Sequence, residues 1–458
     1  MHTLPVLLLL LAAAPPSLEA SASPAAADAH EPALELMTPP APQVVLTTWE
    51  EALARLRARS VEVLLALSQL ELAGAQARLA LSPLLPNVSA TASAQERLAG
   101  QGSLTVDGGG SIPVGGDDEG PRPTSPLLSL RASATQSVID VPAWYRLSAA
   151  RSRERAAEAS AQDTWRRVLR EFARSLVAIV SAERAVEINR AALALAQARH
   201  QLTLESERLG VGRKLDTLRT ARDLEVTHAE LLSSVESLRR AREGLGLALG
   251  ANTEVGLASG FRLEGLRDSL ATLCHPLWGT PRSDLVAAQQ EVQAAESSVG
   301  GARTEFVPAL GLQSTVTAIT VDPGFARVNS WNIVALLELP LWDGGARGAT
   351  VRAERANLSL AEQRLESVRR ALELELSQAR RGVALAEALR RAAERSREAA
   401  SQTEVLTREA FREGVGTSLE LVQSAVELRE AERTLVLREL ELVQARVEAL
   451  MAEAACAL

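Results

Sequence analysis

The chain has 458 residues, of which 47% are hydrophobic, 23% charged and 3% aromatic, and its formal net charge is −8. That balance excludes the basic face gathered by a nucleic-acid-binding protein, and the long proline-free tracts of Leu, Ala, Arg and Glu are those of long helices rather than of several globular domains. No nucleophile motif, phosphate loop, paired acid-base cluster or metal-ligand spacing stands out, so no catalytic residue, cofactor or metal site is expected.

Residues 1–22 read as an export signal: Leu7 to Leu11 run into Ala12 to Ala14, Pro15 and Pro16 follow, and Ala20-Ser21-Ala22 offers a small-x-small cleavage site. Residues 23–46, rich in Ala and Pro, read as a flexible leader with no core to join. A first structural repeat spans 47–250. Its opening helix is capped by Thr47 or Thr48, with Glu50 and Glu51 at the positive end of the dipole, and runs to Ser82, where Pro83 stops it. Strands at 84–95 and 128–138 alternate polar and apolar residues and flank a Gly, Pro and Asp rich stretch, Glu96 to Pro126, that reads as a mobile loop. A helix over 143–209 extends about 100 Å. After a turn at Gly210 to Gly212, a helix over 214–249 carries Leu224, Leu231, Leu238 and Leu245 in heptad register.

Residues 251–281 break this pattern with six scattered turn residues, among them Gly256, Gly260 and Pro281, and read as an irregular segment beside the helices. The second repeat, 282–458, follows the same plan: a helix, strands at 308–320 and 330–341 around a short turn at Asp322 to Gly324, a long helix over 345–413 and a helix over 417–455. The offset from Asp140 to Asp343 is 203 residues and that from Gly212 to Gly416 is 204, so the repeats match in length almost to the residue.

Four short strands cannot close a barrel, and an open sheet edge in hydrocarbon leaves backbone groups unpaired at several kcal/mol each, so closure must come from other copies. A lumen needs more than about eight strands, which makes three chains with twelve strands the smallest odd solution. Trp144, Tyr145, Phe306, Trp331 and Trp342 stand at or beside strand ends, where an interfacial belt would lie; ordinary core aromatics between sheet and helix are the other reading. Cys274 and Cys456 are the two cysteines, either a disulfide of an exported protein or two unpaired small residues.

Leu85-Pro86 and Val307-Pro308 opening strands, Pro-Leu-Trp-Asp-Gly-Gly at Pro340 to Gly345 opening a long helix, and the Val-Gly turns at Val211-Gly212 and Val415-Gly416 together resemble the TolC family of outer membrane efflux proteins. The resemblance implies a mainly α fold with short β: a trimeric 12-strand outer-membrane β-barrel continuous with a long periplasmic α-helical barrel. It implies the outer membrane channel of a tripartite efflux or type I secretion system, not an enzyme, partnered by two further copies, a periplasmic adaptor, an inner-membrane transporter and the outer-membrane bilayer. The adaptor-contact tip would fall on Val211, Gly212, Val415, Gly416 and Thr417. The family's entrance carboxylates would fall on Glu420 and Gln423, with Asp216 in the first repeat, so that one ring is neutral here. The family's layout would also bring Cys274 and Cys456 together around the middle of the helices. The competing reading is a non-channel periplasmic coiled-coil adaptor or scaffold, which has no use for alternating strand pairs.

Overall fold

The computed structural model describes residues 41–96, 104–106, 110–112, 122–124, 126–258, 261, 270–271, 274–276, 281–322 and 327–456. The expected export signal and residues 23–40 of the leader lie outside them, as do Gly115 to Asp118 and Gly324. In chain order the first repeat comprises β1 (Val44–Leu46), α1 (Trp49–Arg59), α2 (Val61–Leu81), β2 (Asn87–Gln95), β3 (Leu104–Val106), β4 (Gly110–Ile112), β5 (Arg122–Pro123), β6 (Leu127–Ile139), α3 (Val141–Arg208) and α4 (Lys214–Ala248). The middle segment contributes β7 (Val255–Leu257) and β8 (Cys274–Pro276). The second repeat comprises α5 (Ser283–Thr304), β9 (Ala309–Ile319), β10 (Val321–Asp322), β11 (Arg327–Glu338), α6 (Ala346–Arg412), α7 (Ser418–Glu453) and β12 (Ala454–Cys456).

The long strands form one antiparallel sheet in the order β11-β9-β6-β2, so the two repeats meet at the central β6–β9 pair and each repeat supplies one free edge. Both strand pairs hand over to their long helix through an aspartate. Asp140 accepts from the Ala143 amide at 2.9 Å. Asp343 accepts from the Gly345 and Arg347 amides at 3.0 and 2.9 Å, which hold its carboxyl below the usual carboxylate range. These bonds satisfy amides at the start of α3, 68 residues long, and α6, 67 residues long.

The apolar core lies at the middle of the helices, away from the sheet. Trp165, Leu169, Phe172, Leu176 and Ile179 of α3 are fully buried against Leu46, Leu56, Leu245, Val255 and Met451. Here β1 runs parallel to β7, and β12 pairs antiparallel with β8, forming a waist of two small sheets on the helices.

Several expected boundaries are corrected. The leader joins the core at its end, because Val44–Leu46 is a strand and Leu46 is fully buried. The single helix expected to Ser82 is two, since Ser60 is extended and buried where the Gly250 turn presses on the Arg59 backbone; a Cβ on Gly250 would lie 2.5 Å from the Arg59 carbonyl. The expected loop over 96–126 contains β3, β4 and β5, and the expected turn at Asp322 begins as β10, paired with β5. The last helix ends at Glu453, because Ala454–Cys456 is drawn into the ladder with β8.

Candidate functional site

The end of the molecule far from the sheet is built by two near-identical turns. Gly210 and Gly414 take φ of 76° and 75°, a left-handed conformation open to glycine. The amides of Val211 and Gly212 both donate to the Ser206 carbonyl, at 3.1 and 2.8 Å, and those of Val415 and Gly416 both donate to the Ala410 carbonyl at 3.0 Å. A Cβ on Gly212 would sit 2.8 Å from the Glu207 amide, and one on Gly416 2.9 Å from the Phe411 amide, so both second glycines are needed for close backbone approach. The result is a rigid turn with a bare valine at its tip: Val211 is 81% exposed and Val415 82%.

The turns stand side by side. The Ser418 hydroxyl donates to the Asp216 carboxylate, joining the first turn of α7 to the first turn of α4. Further along the same seam Arg429 donates to Thr227 Oγ1 at 3.0 Å and pairs with Glu230 at 3.4 Å. Sequence reasoning found Asp216 but missed Ser418, Thr227, Glu230 and Arg429, and no motif marks them. Glu420 closes a capping box instead of facing Asp216: it accepts from the Thr417 amide at 2.8 Å while its own amide donates to Thr417 Oγ1 at 3.3 Å. The Thr417 amide and hydroxyl hold the Glu420 carboxyl below its ordinary value. Gln423 donates to Glu427 on its own helix at 3.1 Å.

At the opposite end the sheet sorts its residues by face. Asn87, Ser89, Thr91 and Ser93 align through the register with Thr135, Ser133, Arg131 and Ser129; the first three of these align in turn with Gln313, Thr315 and Thr317 of β9, and Ser129 with Ile319. Ser89 and Ser133 hydroxyls bond at 2.9 Å and those of Ser93 and Ser129 at 2.7 Å. The reverse face carries Val88, Ala92, Leu128, Leu130, Val316, Trp331 and Ile333. β2 is exposed along its whole length, and Ile333 and Leu337 of β11 are each 67% exposed, so no described element covers this face, while Val334 and Leu336 of β11 stand on the face of the polar row. Of the expected aromatics, Trp144, Tyr145, Phe306 and Trp342 gather where sheet meets helix. Tyr145 lies on Gly300, whose added Cβ would meet its ring at 2.4 Å, and Arg347 stacks on Phe306 at 5.8 Å. Trp331 stands seven residues up β11 from Glu338, about 23 Å along the strand, and donates through Nε1 to Ser314 at 3.1 Å.

The waist is fastened by ions and sulfur. Arg282 pairs with Asp284 at 2.6 Å and Glu375 at 2.7 Å and donates to the Ala452 carbonyl at 3.3 Å. Arg166 pairs with Asp163 at 2.7 Å and donates to the Met451 carbonyl at 3.1 Å. Burial opposes the charge on Arg282, but the bonds to Asp284 and Glu375 outweigh it and raise its pKa. Cys274 is buried and disulfide-bonded, and Cys456, the other cysteine of the chain, stands opposite it in the β12–β8 ladder.

The structure thus defines a class of protein in which a four-stranded sheet, whose edge strands have no further partner among the described residues, is carried at one end of helical hairpins about 100 Å long. Among the described residues no helix is long and apolar enough to cross a membrane. Residues 281–452 match the outer membrane efflux protein family. The chain is 31% identical over 172 residues to outer membrane protein OprJ of Pseudomonas aeruginosa, covering 35% of this chain and 33% of that one. It is 25% identical over 145 residues to the cation efflux system protein CusC of Escherichia coli, covering 31% and 30%. The aligned segment thus spans about a third of these curated relatives. Crystal structures share the fold over far more: CusC superposes with a TM-score of 0.73 at 17% identity, covering 88% of this chain and 91% of that one. VceC of Vibrio cholerae superposes with a TM-score of 0.71 at 17% identity, covering 88% and 95%. Residues 281–452 thus carry the likeness to the outer membrane efflux protein family, and the solved structures extend the shared fold over most of the chain.

Proposed function

We propose that the chain is the outer-membrane exit duct of a tripartite efflux or type I secretion system, a homotrimer through which substrates pass with no catalytic step of its own. The sheet carries this reading. Its strands of 9, 13, 11 and 12 residues meet the roughly 9–11 residues a tilted strand needs to cross a bilayer. Its faces suit an apolar outside and a polar lumen. Pairing the β2 edge of one copy with the β11 edge of the next completes twelve strands and leaves no backbone group unpaired in hydrocarbon. Trp144, Tyr145, Phe306 and Trp342 at the helix end of the sheet suit an interfacial girdle, while Trp331 stands four residues inside the far end of β11. A coiled-coil adaptor or scaffold would bury neither face of this sheet.

The helices then form the periplasmic tube, and the bare Val211 and Val415 turns are the surface an adaptor reads as it delivers substrate from an inner-membrane transporter. The seam of Asp216 with Ser418, and of Arg429 with Thr227 and Glu230, holds the two hairpins together at that end and keeps the entrance narrow. Planar-bilayer conductance tests both points. The purified protein is expected to give small discrete steps, and the double variant Asp216→Ala, Arg429→Ala steps several-fold larger, from the loss of two charge-assisted contacts of about 1.5–3 kcal/mol each. Absence of any conductance from a correctly assembled protein would defeat the duct reading. Wild-type-sized steps in the variant would remove the seam from gating.

A further inference from the structure

The charges at the two ends of the helices follow opposite rules. Acidic residues stand in the first turn of α1 (Glu50, Glu51), α2 (Glu62), α4 (Asp216), α5 (Asp284) and α7 (Glu420), as the positive end of a helix dipole favours. The two helices that start at the sheet, α3 and α6, have none. Their opening stretches carry arginine and no acid: Arg146, Arg151 and Arg153 on α3 before Glu154, and Arg347 and Arg352 on α6 before Glu354, with Arg347 in the first turn, against the dipole. The helices that end at the sheet add Arg78 on α2 and Arg303 on α5, both exposed.

Part of this charge is neutralised within the chain. Asp140 pairs with Arg146 and Asp343 with Arg347, each at 3.6 Å, while both carboxylates also accept from capping amides. Glu305 and Glu354 share with Arg146 the wall of a cavity of about 350 Å³ between α2, α3, α5 and α6. Arg78, Arg151, Arg303 and Arg352 have no carboxylate within 4.0 Å among the described residues. In a chain of net charge −8 this is a local basic excess, and it coincides with Trp144 and Trp342, 60% and 87% exposed. Aromatics at headgroup depth with flexible cations beside them match the chemistry of a phospholipid interface.

We propose that the rim where sheet meets helix is a seat for the phosphate headgroups of anionic phospholipids, with Arg146, Arg151, Arg347 and Arg352 as its cations. This rests on the reading of the sheet as the membrane-crossing part. The arginines then set the depth and orientation of the sheet in the leaflet on the helix side.

The test compares wild type with the variant Arg146→Gln, Arg151→Gln, Arg347→Gln, Arg352→Gln after reconstitution into phosphatidylcholine vesicles holding a minor fraction of phosphatidylglycerol, followed by mass analysis of the lipid retained on the extracted protein. Wild type is expected to retain phosphatidylglycerol enriched about fivefold or more over its share, the effect of one arginine at the surface, and the variant to retain it at its share. Enrichment in wild type is also expected to fall as salt rises, which tests the idea even where the variant does not assemble. Equal retention of the two lipids by wild type, unchanged enrichment in an assembled variant, or displacement of the lipid by millimolar inorganic phosphate would each overturn the proposal. Wild type that inserts and conducts without lipid preference sinks this inference alone, whereas failure to insert removes the duct reading with it.

Discussion

Replacing Gly212 and Gly416 together by valine is expected to cut export at least tenfold while the assembled protein stays intact. Each new side chain begins 2.8–2.9 Å from a backbone nitrogen of the preceding helix, well inside contact distance, so the turn must open and the bare valines at its tip change position. The waist core of Trp165 and Phe172 lies some 40 residues away along α3, about 60 Å, and is untouched. Retention of a fluorescent efflux dye by cells lacking their own duct, normalised to assembled protein on an unheated gel, gives the answer. Undiminished export from an assembled variant would remove the turns from any docking role. The companion change Val211→Asp with Val415→Asp keeps both turn glycines, so loss of export there assigns the effect to the tip surface rather than to turn strain.

The second large effect is expected at the waist. Arg282→Ala leaves the Asp284 and Glu375 carboxylates, 22% and 32% exposed, without the guanidinium that pairs with both, and takes a donor from the Ala452 carbonyl. Glu375 keeps Arg170 at 2.9 Å, so the unpaired charge is mainly that of Asp284; leaving a partly buried carboxylate without its partner costs about 1–3 kcal/mol, and the loss falls where α3, α5, α6 and α7 converge. Heating the assembled protein and following the loss of helical signal should show a clear fall in midpoint. The Asp284 carboxyl is held low: burial pushes it up, but its bonds and attraction to Arg282 win. Its contribution to stability is therefore present above the unfolded carboxylate value and is lost as pH falls through the lowered folded one. The acid sensitivity of wild type over that window should shrink in the variant. An unchanged midpoint and an unchanged acid limb would contradict this account of the waist.

What the sequence disclosed and what it withheld divide along physical lines. Alternation with period two marked the strands that run 87–95, 127–139 and 309–319, whereas the strand expected at 330–341 runs Arg327–Glu338; absence of proline with a terminal Gly-x-Gly marked both long helices, because these patterns are local consequences of backbone geometry. The duplicated Asp before each helix and the duplicated glycine turn were visible for the same reason, and the structure gives each a job in hydrogen bonding. Ser60 shows the opposite case: nothing local marks a helix break there, and the break lies where the backbone of Gly250, nearly two hundred residues on, closely approaches Arg59. The strand at Ala454–Cys456 looks helical by composition and is set by pairing with β8. At the candidate site the tip residues could be read directly. Asp216 was visible as a carboxylate, but its partner Ser418 was not, because a hydroxyl opposite a carboxylate across two helices leaves no periodic trace. Glu420, read as an entrance carboxylate, spends its oxygen on the Thr417 cap in this structure.

The claim that other copies complete the barrel is tested most directly by amide hydrogen exchange across the sheet in the detergent-purified protein. In one chain β6 and β9 are paired on both sides and β2 and β11 on one side each, so an isolated sheet would exchange quickly at the outward amides of its edges. The account predicts that the outward amides of β2 and β11 exchange as slowly as those of β6 and β9, because each edge is sealed by the next copy. Fast exchange confined to those two edges would contradict it and leave the sheet open.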